Sequence, residues 1–267
     1  MNDIIRGVNL EIIKIILVTF FAGMGAGLGT GFAGMSAAAV ITPMLVTFLN
    51  VEPYTAVGIA LASDVLASAI SAYTYGKNKN LDIKNGIIMM ATVLVFTVVG
   101  SCVSKLVPSN TMGNFSVFMT FLLGIKFIVK PVMTTKESMA AVSAKKRIVQ
   151  SIACGTIIGF ICGFIGAGGG MMMLLILTSV LGYELKTAVG TSVFIMTFTA
   201  LTGALSHFVI GGAPNLFILV LSIVFTLVWA RIAALIANKA EPKALNRYTG
   251  VVLVVLGIVI FIFNLIN

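Results

Sequence analysis

The sequence predicts an all-α membrane protein, a polytopic helical bundle of two inverted five-segment repeats with Gly-rich broken helices. Three observations predict it. Hydrophobic residues make up 59% of the 267 and charged residues 9%, whereas a water-soluble domain carries roughly 25% charged residues to cover its surface. The apolar residues fall in long runs, close to the ~20 residues that cross a ~30 Å hydrocarbon core. The chain also resembles itself when shifted by about 132 residues.

The apolar runs fall at about 10–30, 33–49, 55–75, 86–106, 113–130, 148–166, 169–182, 187–209, 215–237 and 248–266. Two of them, 33–49 and 169–182, are short for a crossing, and each follows a Gly-rich stretch almost without a polar loop. The connections differ in charge. One holds Lys77, Lys79 and Lys84, a second Lys130, Lys136, Lys145, Lys146 and Arg147, and a third Lys239, Lys243 and Arg247. Those at 108–111 and 211–214 have neither Lys nor Arg. Cationic connections stay in the cytoplasm, so the three basic ones are expected inside and the two neutral ones outside. If every run crosses, ten segments result with both termini outside; re-entrant short runs, giving seven or eight crossings, are the alternative. The organisation expected is a first transmembrane repeat at 1–130, a basic cytoplasmic connection at 131–147 and a second repeat at 148–267.

This distribution explains the net charge of +9 as helix orientation, and nucleic acid is excluded as a partner. No cleavable signal peptide is read. Cys102, Cys154 and Cys162 lie in apolar runs without ligand spacing and are expected to be small buried hydrophobes.

The repeat is carried by specific residues. Gly23, Gly27, Gly31, Phe32 and Gly34 fall on Gly155, Gly159, Gly163, Phe164 and Gly166; Glu52 falls on Glu184, and Thr55-Ala56-Val57-Gly58 on Thr187-Ala188-Val189-Gly190. Each copy holds five runs, an odd number, so copies in series sit with opposite orientation. The basic 76–84 connection and its neutral counterpart at 210–214 agree with that inversion, a plan recurrent in secondary carriers, whose sites lie near the midplane.

Glycines every fourth residue give a smooth helix face for close packing. The stretches at 31–34 and 163–170 are too Gly-dense for uninterrupted helix, since each Gly costs about 1 kcal/mol relative to Ala. In hydrocarbon an interruption survives only where protein, water or a ligand meets the freed backbone groups. A helix starting after it aims free N–H groups and its positive dipole end at that spot. Two such starts, one per repeat, predict an anion site without a full positive charge. Gly29-x-Gly31-x-x-Gly34 also fits a dinucleotide fingerprint, but that pattern requires a strand and a βαβ unit and is dismissed in a membrane-length helix.

Polar residues within the runs complete the candidate site. Thr191 and Ser192 follow Gly190, with Thr197, Thr199 and Thr202 beyond them, and Ser36, Ser63, Ser68 and Ser71 are the first-repeat counterparts. Asp64 lies mid-run, where a carboxyl is costly and marks a functional candidate; proton coupling and a structural, protonated Asp bonded to a neighbouring helix are its two readings. His207, the single histidine, is expected to be interfacial and structural, Glu52 and Glu184 to cap helix starts, and Lys126 and Arg231 to snorkel. No metal or cofactor is expected, and one deep carboxyl does not make an intramembrane enzyme.

Gly-x-x-x-Gly-Phe-Ile-Gly-Ala-Gly-Gly-Gly at 159–170, Ala188-Val189-Gly190-Thr191-Ser192, and the degenerate 31–34, Pro43 and Ala56-Val57-Gly58 of the first copy together resemble the TauE/SafE family of sulfite and organosulfonate exporters. The resemblance covers nearly the whole chain. It implies a multi-pass transporter of small sulfur-containing anions in the bacterial cytoplasmic membrane. Met35-Ser36-Ala37-Ala38 and Gly58-Ile59-Ala60 depart from the glycine-richer family pattern in the first copy. The substrate-binding residues expected are Gly31, Gly34, Ser36, Gly58, Ser63, Gly166, Gly168, Gly169, Gly170, Gly190, Thr191 and Ser192, with alternating access as the mechanism. Partners are the lipid bilayer and a small anion, with a homodimer allowed; an anion channel, a membrane scaffold and an intramembrane enzyme are the competing classes.

Overall fold

Inside a bilayer every backbone N–H and C=O must find its partner within the chain, so apolar runs of this length fold as helices. A computed structural model describes residues 2–104, 122, 124–137, 143–165 and 169–266. Among them are α1 (Asn2–Ala33), α2 (Ala38–Leu49), α3 (Pro53–Lys77), α4 (Ile83–Ser104), α5 (Ala144–Ile165), α6 (Gly169–Ser179), α7 (Leu185–Gly211), α8 (Leu216–Lys239) and α9 (Pro242–Ile266), with a further helical stretch at 124–129. No strand occurs among the described residues, which removes the dinucleotide reading of 29–34. Among the described residues five stretches, Leu10–Ala33, Pro53–Lys77, Leu185–Val209, Leu216–Lys239 and Pro242–Val259, are long and apolar enough to cross a membrane.

The two short runs are half-length helices. With 12 and 11 residues, α2 and α6 rise only about 16–18 Å at ~1.5 Å per residue, well short of ~30 Å of hydrocarbon. The picture in which every run crosses as a full helix is therefore corrected at these two positions. The expected outer connection at 108–111 lies outside the described residues.

Three helix pairs make the most extensive contacts: α1 with α8, α4 with α5, and α3 with α7. Glycine decides how closely they approach. A Cβ on Gly27 would lie 2.6 Å from the Thr226 carbonyl oxygen, and one on Gly159 would lie 2.5 Å from the Val93 carbonyl oxygen. Gly27 and Gly159 are equivalent positions of the sequence repeat. Between α3 and α7, Gly58 faces His207 and Phe208, Leu61 faces Gly203, and Gly190 faces Tyr75; the helices run antiparallel. Gly58 and Gly190 are again equivalent in the repeat, as are Tyr75 and His207.

Basic connections gather at one end. Asn80 donates to Asn238 Oδ1 at 2.7 Å, Lys136 Nζ to the Lys79 carbonyl at 3.1 Å, and Lys186 Nζ to the Asn238 carbonyl at 2.9 Å. At the other end of α3, Tyr54 and His207 stack with ring centroids 4.2 Å apart, and His207 Nδ1 lies 3.1 Å from the Tyr54 carbonyl oxygen. His207 thus has the structural role expected. Glu52 caps α3 as expected, accepting from Tyr54 N–H and Thr55 N–H at 3.0 and 2.8 Å. Glu184 stands at the same position before α7, where its carboxylate accepts from Thr187 Oγ1 at 3.1 Å and makes no side-chain bond to the backbone. Lys126 donates to Ser179. Cys154 is buried and free.

Candidate functional site

The first interruption begins where α1 ends. Gly34 adopts φ +60°, a left-handed conformation that costs a side-chain-bearing residue strain. Its N–H bonds the Thr30 carbonyl at 2.9 Å, and Met35 N–H reaches back to the Gly29 carbonyl at 3.1 Å. The last carbonyls of α1 are met from other helices: Tyr75 OH donates to Gly31 O at 2.8 Å and Thr249 Oγ1 to Phe32 O at 3.1 Å. The expected break at 31–34 therefore starts three residues later. Gly31 remains inside α1, pressed against Ala230 and Ala233 of α8, because at this position the stripe of small residues serves helix packing.

After residues 34–37 the chain re-enters helix as α2, whose own N-cap residue, Ala37, brings no side-chain acceptor. The acceptor comes from α3. Asp64, 1% exposed, takes hydrogen bonds from Ser36 Oγ at 2.8 Å and Ser68 Oγ at 3.0 Å, and from the Ala37 N–H. An acidic group at a helix N-terminus is favoured by the dipole and by the unbonded N–H groups. One of the two expected helix starts thus already holds an acidic side chain belonging to the protein. Ser71, on the same face of α3 as Asp64 and Ser68, is fully buried and its Oγ has no hydrogen-bond partner.

The second helix start meets the first. A Cβ on Gly170, in the first turn of α6, would collide with the Gly34 carbonyl oxygen and lie 3.1 Å from the Ser36 nitrogen. Ser192 Oγ sits 3.4 Å from both the Gly34 and the Gly170 carbonyl oxygens. From this shared point α2 runs toward the Tyr54–His207 end, while α6 runs toward the basic end, where Tyr183 OH donates to Asp82 at 2.8 Å. Two half-length helices start back to back here, and their meeting point is lined by the Gly34 and Gly170 carbonyl oxygens, the Ser192 hydroxyl and the Ser36 N–H.

Of the expected binding residues, the structure brings together Gly34, Ser36, Gly170 and Ser192, with Gly169 next in the chain and Asp64 beside Ser36. Others lie elsewhere. Gly58 belongs to the α3–α7 packing, Gly190 lies under the Asn80 carbonyl, and Ser63 Oγ returns to its own helix at the Ile59 carbonyl, 2.9 Å away. Thr191 Oγ1 accepts from Asp82 N–H at 3.2 Å. Thr197, Thr199 and Thr202 likewise bond carbonyls of their own helix, as Ser and Thr commonly do. Gly166 and Gly168 lie outside the described residues. Sequence reasoning missed the Asp82 cluster, although Asp82 followed three residues on by Asn85 is a capping pattern; Asn85 N–H does bond Asp82 Oδ1 at 3.2 Å.

A bundle with two half-length helices meeting at glycine interruptions defines a polytopic membrane protein of transporter type. Residues 19–260 match the family described as Sulfite exporter TauE/SafE, and the chain belongs to that family. It is similar to the probable membrane transporter protein YunE of Bacillus subtilis, 26% identical over 263 residues covering 91% of this chain and 95% of the relative. YdhB of the same organism, also described as a probable membrane transporter protein, is 23% identical, with 87% and 93% covered. The similarly described MJ0441 of Methanocaldococcus jannaschii is 26% identical, with 91% and 93% covered. The protein is a membrane transporter.

Proposed function

We propose that the chain is a secondary carrier for a small anion, a sulfite, an organosulfonate or a related sulfur compound, working by alternating access. The observation that carries the reading is the meeting of the α2 and α6 starts at Gly34, Gly170 and Ser192. Two helix N-termini that meet at one point bring their positive dipole ends together, which suits an anion whose charge is spread over several oxygens. The carrier is built of two inverted five-segment repeats, 1–130 and 148–267, joined by the basic 131–147 connection, and its main helix pairs each take one helix from either repeat. Glycine contacts that recur at repeat-equivalent places, Gly58 on His207 and Gly190 on Tyr75, and the antiparallel α3–α7 pair support that assignment. The basic end faces the cytoplasm of a bacterial inner membrane.

Asp64 couples the anion to a proton. Its carboxylate and an incoming anion compete for the Ser36 hydroxyl and the Ala37 N–H, so protonation frees those donors for the guest. The test is thermal stabilisation of purified protein by sulfite, thiosulfate, sulfoacetate, taurine, phosphonates and carboxylates, followed by counterflow in liposomes with the ligand found. A ligand at about 100 times its dissociation constant adds about 2.7 kcal/mol. Saturable counterflow is expected; flux that rises without saturation, or no stabilisation by any anion, refutes the carrier reading.

A further inference from the structure

The basic end of the molecule is closed by a polar cluster with no part in the anion site. Asp82 stands at the start of α4, and its Oδ2 accepts from Asn85 Nδ2 at 2.7 Å and from Tyr183 OH at 2.8 Å. Arg147 Nη1, from the first turns of α5, lies 3.8 Å from the same oxygen, and the guanidinium is 5.4 Å from the centre of the Tyr183 ring. Asp82 N–H bonds Thr191, and the Asn80 carbonyl covers Gly190. The 78–82 connection thus lies across the early turns of α7, and Ser192 is the residue after Thr191. Burial, with the Asp82 carboxylate beside it, pushes the Tyr183 hydroxyl far above its usual value; it stays protonated and donates.

The internal repeat shows that this closure is one-sided. At the 132-residue shift the positions equivalent to Arg147, Tyr183 and Thr191 are Ile15, Val51 and Ile59, and Asp82, the residue before α4, has its counterpart in Asn215, the residue before α8. Asn215 keeps the capping role, accepting from Phe217 N–H and Ile218 N–H at 2.9 and 3.3 Å. The other three equivalents are aliphatic. One end is therefore fastened by an ion pair and a phenol, where the matching positions at the other end carry no charge. The Asp82 and Arg147 side chains are 14% and 12% exposed, at the edge of the aqueous phase. Once parted, each can be rehydrated, which makes separation far less costly than splitting a fully buried pair.

We propose that Asp82 and Arg147 form a latch that holds the basic end shut over Thr191 and Ser192, and that they must part for the site to open to that side. Both are positioning residues; neither touches the anion. The inference rests on the transport reading, yet its first test needs no substrate. A single cysteine at Ala188, one turn before Ser192 and fully buried, is placed in a chain whose three native cysteines are replaced. Inside-out vesicles, with the basic end outward, are treated with a membrane-impermeant maleimide.

Asp82→Asn and Arg147→Gln should each raise the labelling rate several-fold, and the exchanged pair Asp82→Arg with Arg147→Asp should return it toward the parent rate. Equal rates in the parent and both single variants, or an exchange no slower than either single variant, overturns the latch. Where a charge variant fails to insert, Asp82→Cys with Arg147→Cys joined by a short bifunctional maleimide gives the same answer through counterflow. The joined protein should be inactive, and activity at the unjoined rate refutes the proposal. If labelling responds while no anion is carried, the latch stands and the substrate assignment fails.

Discussion

Asp64 shows how a costly residue becomes a fixed part of a membrane protein. A carboxylate in the bundle is tolerated because two hydroxyls and one amide are pointed at it. Removing it orphans those donors. Asp64→Ala should lower stability by about 1–3 kcal/mol per donor left unmet, read as a lowered Tm in detergent, while Asp64→Asn should lose less and abolish any pH dependence of uptake. An unchanged Tm in the alanine variant, or an unchanged pH profile in the asparagine variant, contradicts the corresponding role. Glu52 offers a second residue-scale test outside the membrane. Hydrogen bonds from the Thr55 and Tyr54 amides hold its carboxyl below the usual value. Its contribution is therefore present above the unfolded value of about 4.3 and disappears as pH falls through the lower folded value. Glu52→Gln should reduce Tm at pH 7 and change it little at pH 3; an equal reduction at both would show that the cap is not ionic. The sequence marked Asp64 through its placement in an apolar run, but nothing in it paired Asp64 with Ser36, because that contact spans 28 residues across an interruption whose geometry is set by tertiary packing.

Between elements, the glycines do two different jobs that share one spacing. Gly27 on α1 and Gly159 on α5 face the backbone of a neighbouring helix, 2.6 Å from Thr226 O and 2.5 Å from Val93 O for an added Cβ. Backbone cannot step aside as a side-chain tip can. Gly27→Ala and Gly159→Ala should each cost about 1–3 kcal/mol through overpacking. Gly25 faces the ends of flexible side chains, Val40 Cγ1 at 3.2 Å and Leu256 Cδ2 at 3.3 Å. There the helix-propensity gain of Ala, up to about 1 kcal/mol, offsets the crowding, and Gly25→Ala should be close to neutral. Thermal melts of the three variants decide it, and equal losses in all three would remove the distinction. Spacing alone announced close helix approach but not the partner, so α8 for Gly27 and α4 for Gly159 were invisible in the sequence. The same ambiguity placed the break at Gly31: a glycine in a packing stripe and a glycine in an interruption look alike until the neighbouring helix is seen. The half-length α2 and α6 were legible as short runs, because length is counted directly from the chain, whereas their mutual contact was not.

At the scale of the molecule, the chain order and the contact order disagree in an informative way. The three most extensive helix pairs, α1 with α8, α4 with α5 and α3 with α7, each take one helix from either side of the basic connection. The midpoint of the bundle is likewise shared, since Gly34 comes from one side and Gly170 with Ser192 from the other. Neither half can bury its glycine faces alone, and helices in lipid gain their association energy from such close packing rather than from exclusion of water. A chain cut within the 131–147 connection should therefore behave as two dependent parts. Residues 1–137 and 138–267 produced together, one part carrying an affinity tag, should co-purify and recover counterflow, because the cut removes no helix pair. Either part produced alone should be degraded or aggregate, exposing the Gly23–Gly27–Gly31 face in one case and the Gly155–Gly159 face in the other. Gly27→Leu in the first part should abolish co-purification while leaving insertion intact. A first part that is monodisperse by itself, or a Leu variant that still co-purifies, would show that each half is a self-sufficient bundle and that the contacts across the connection are secondary.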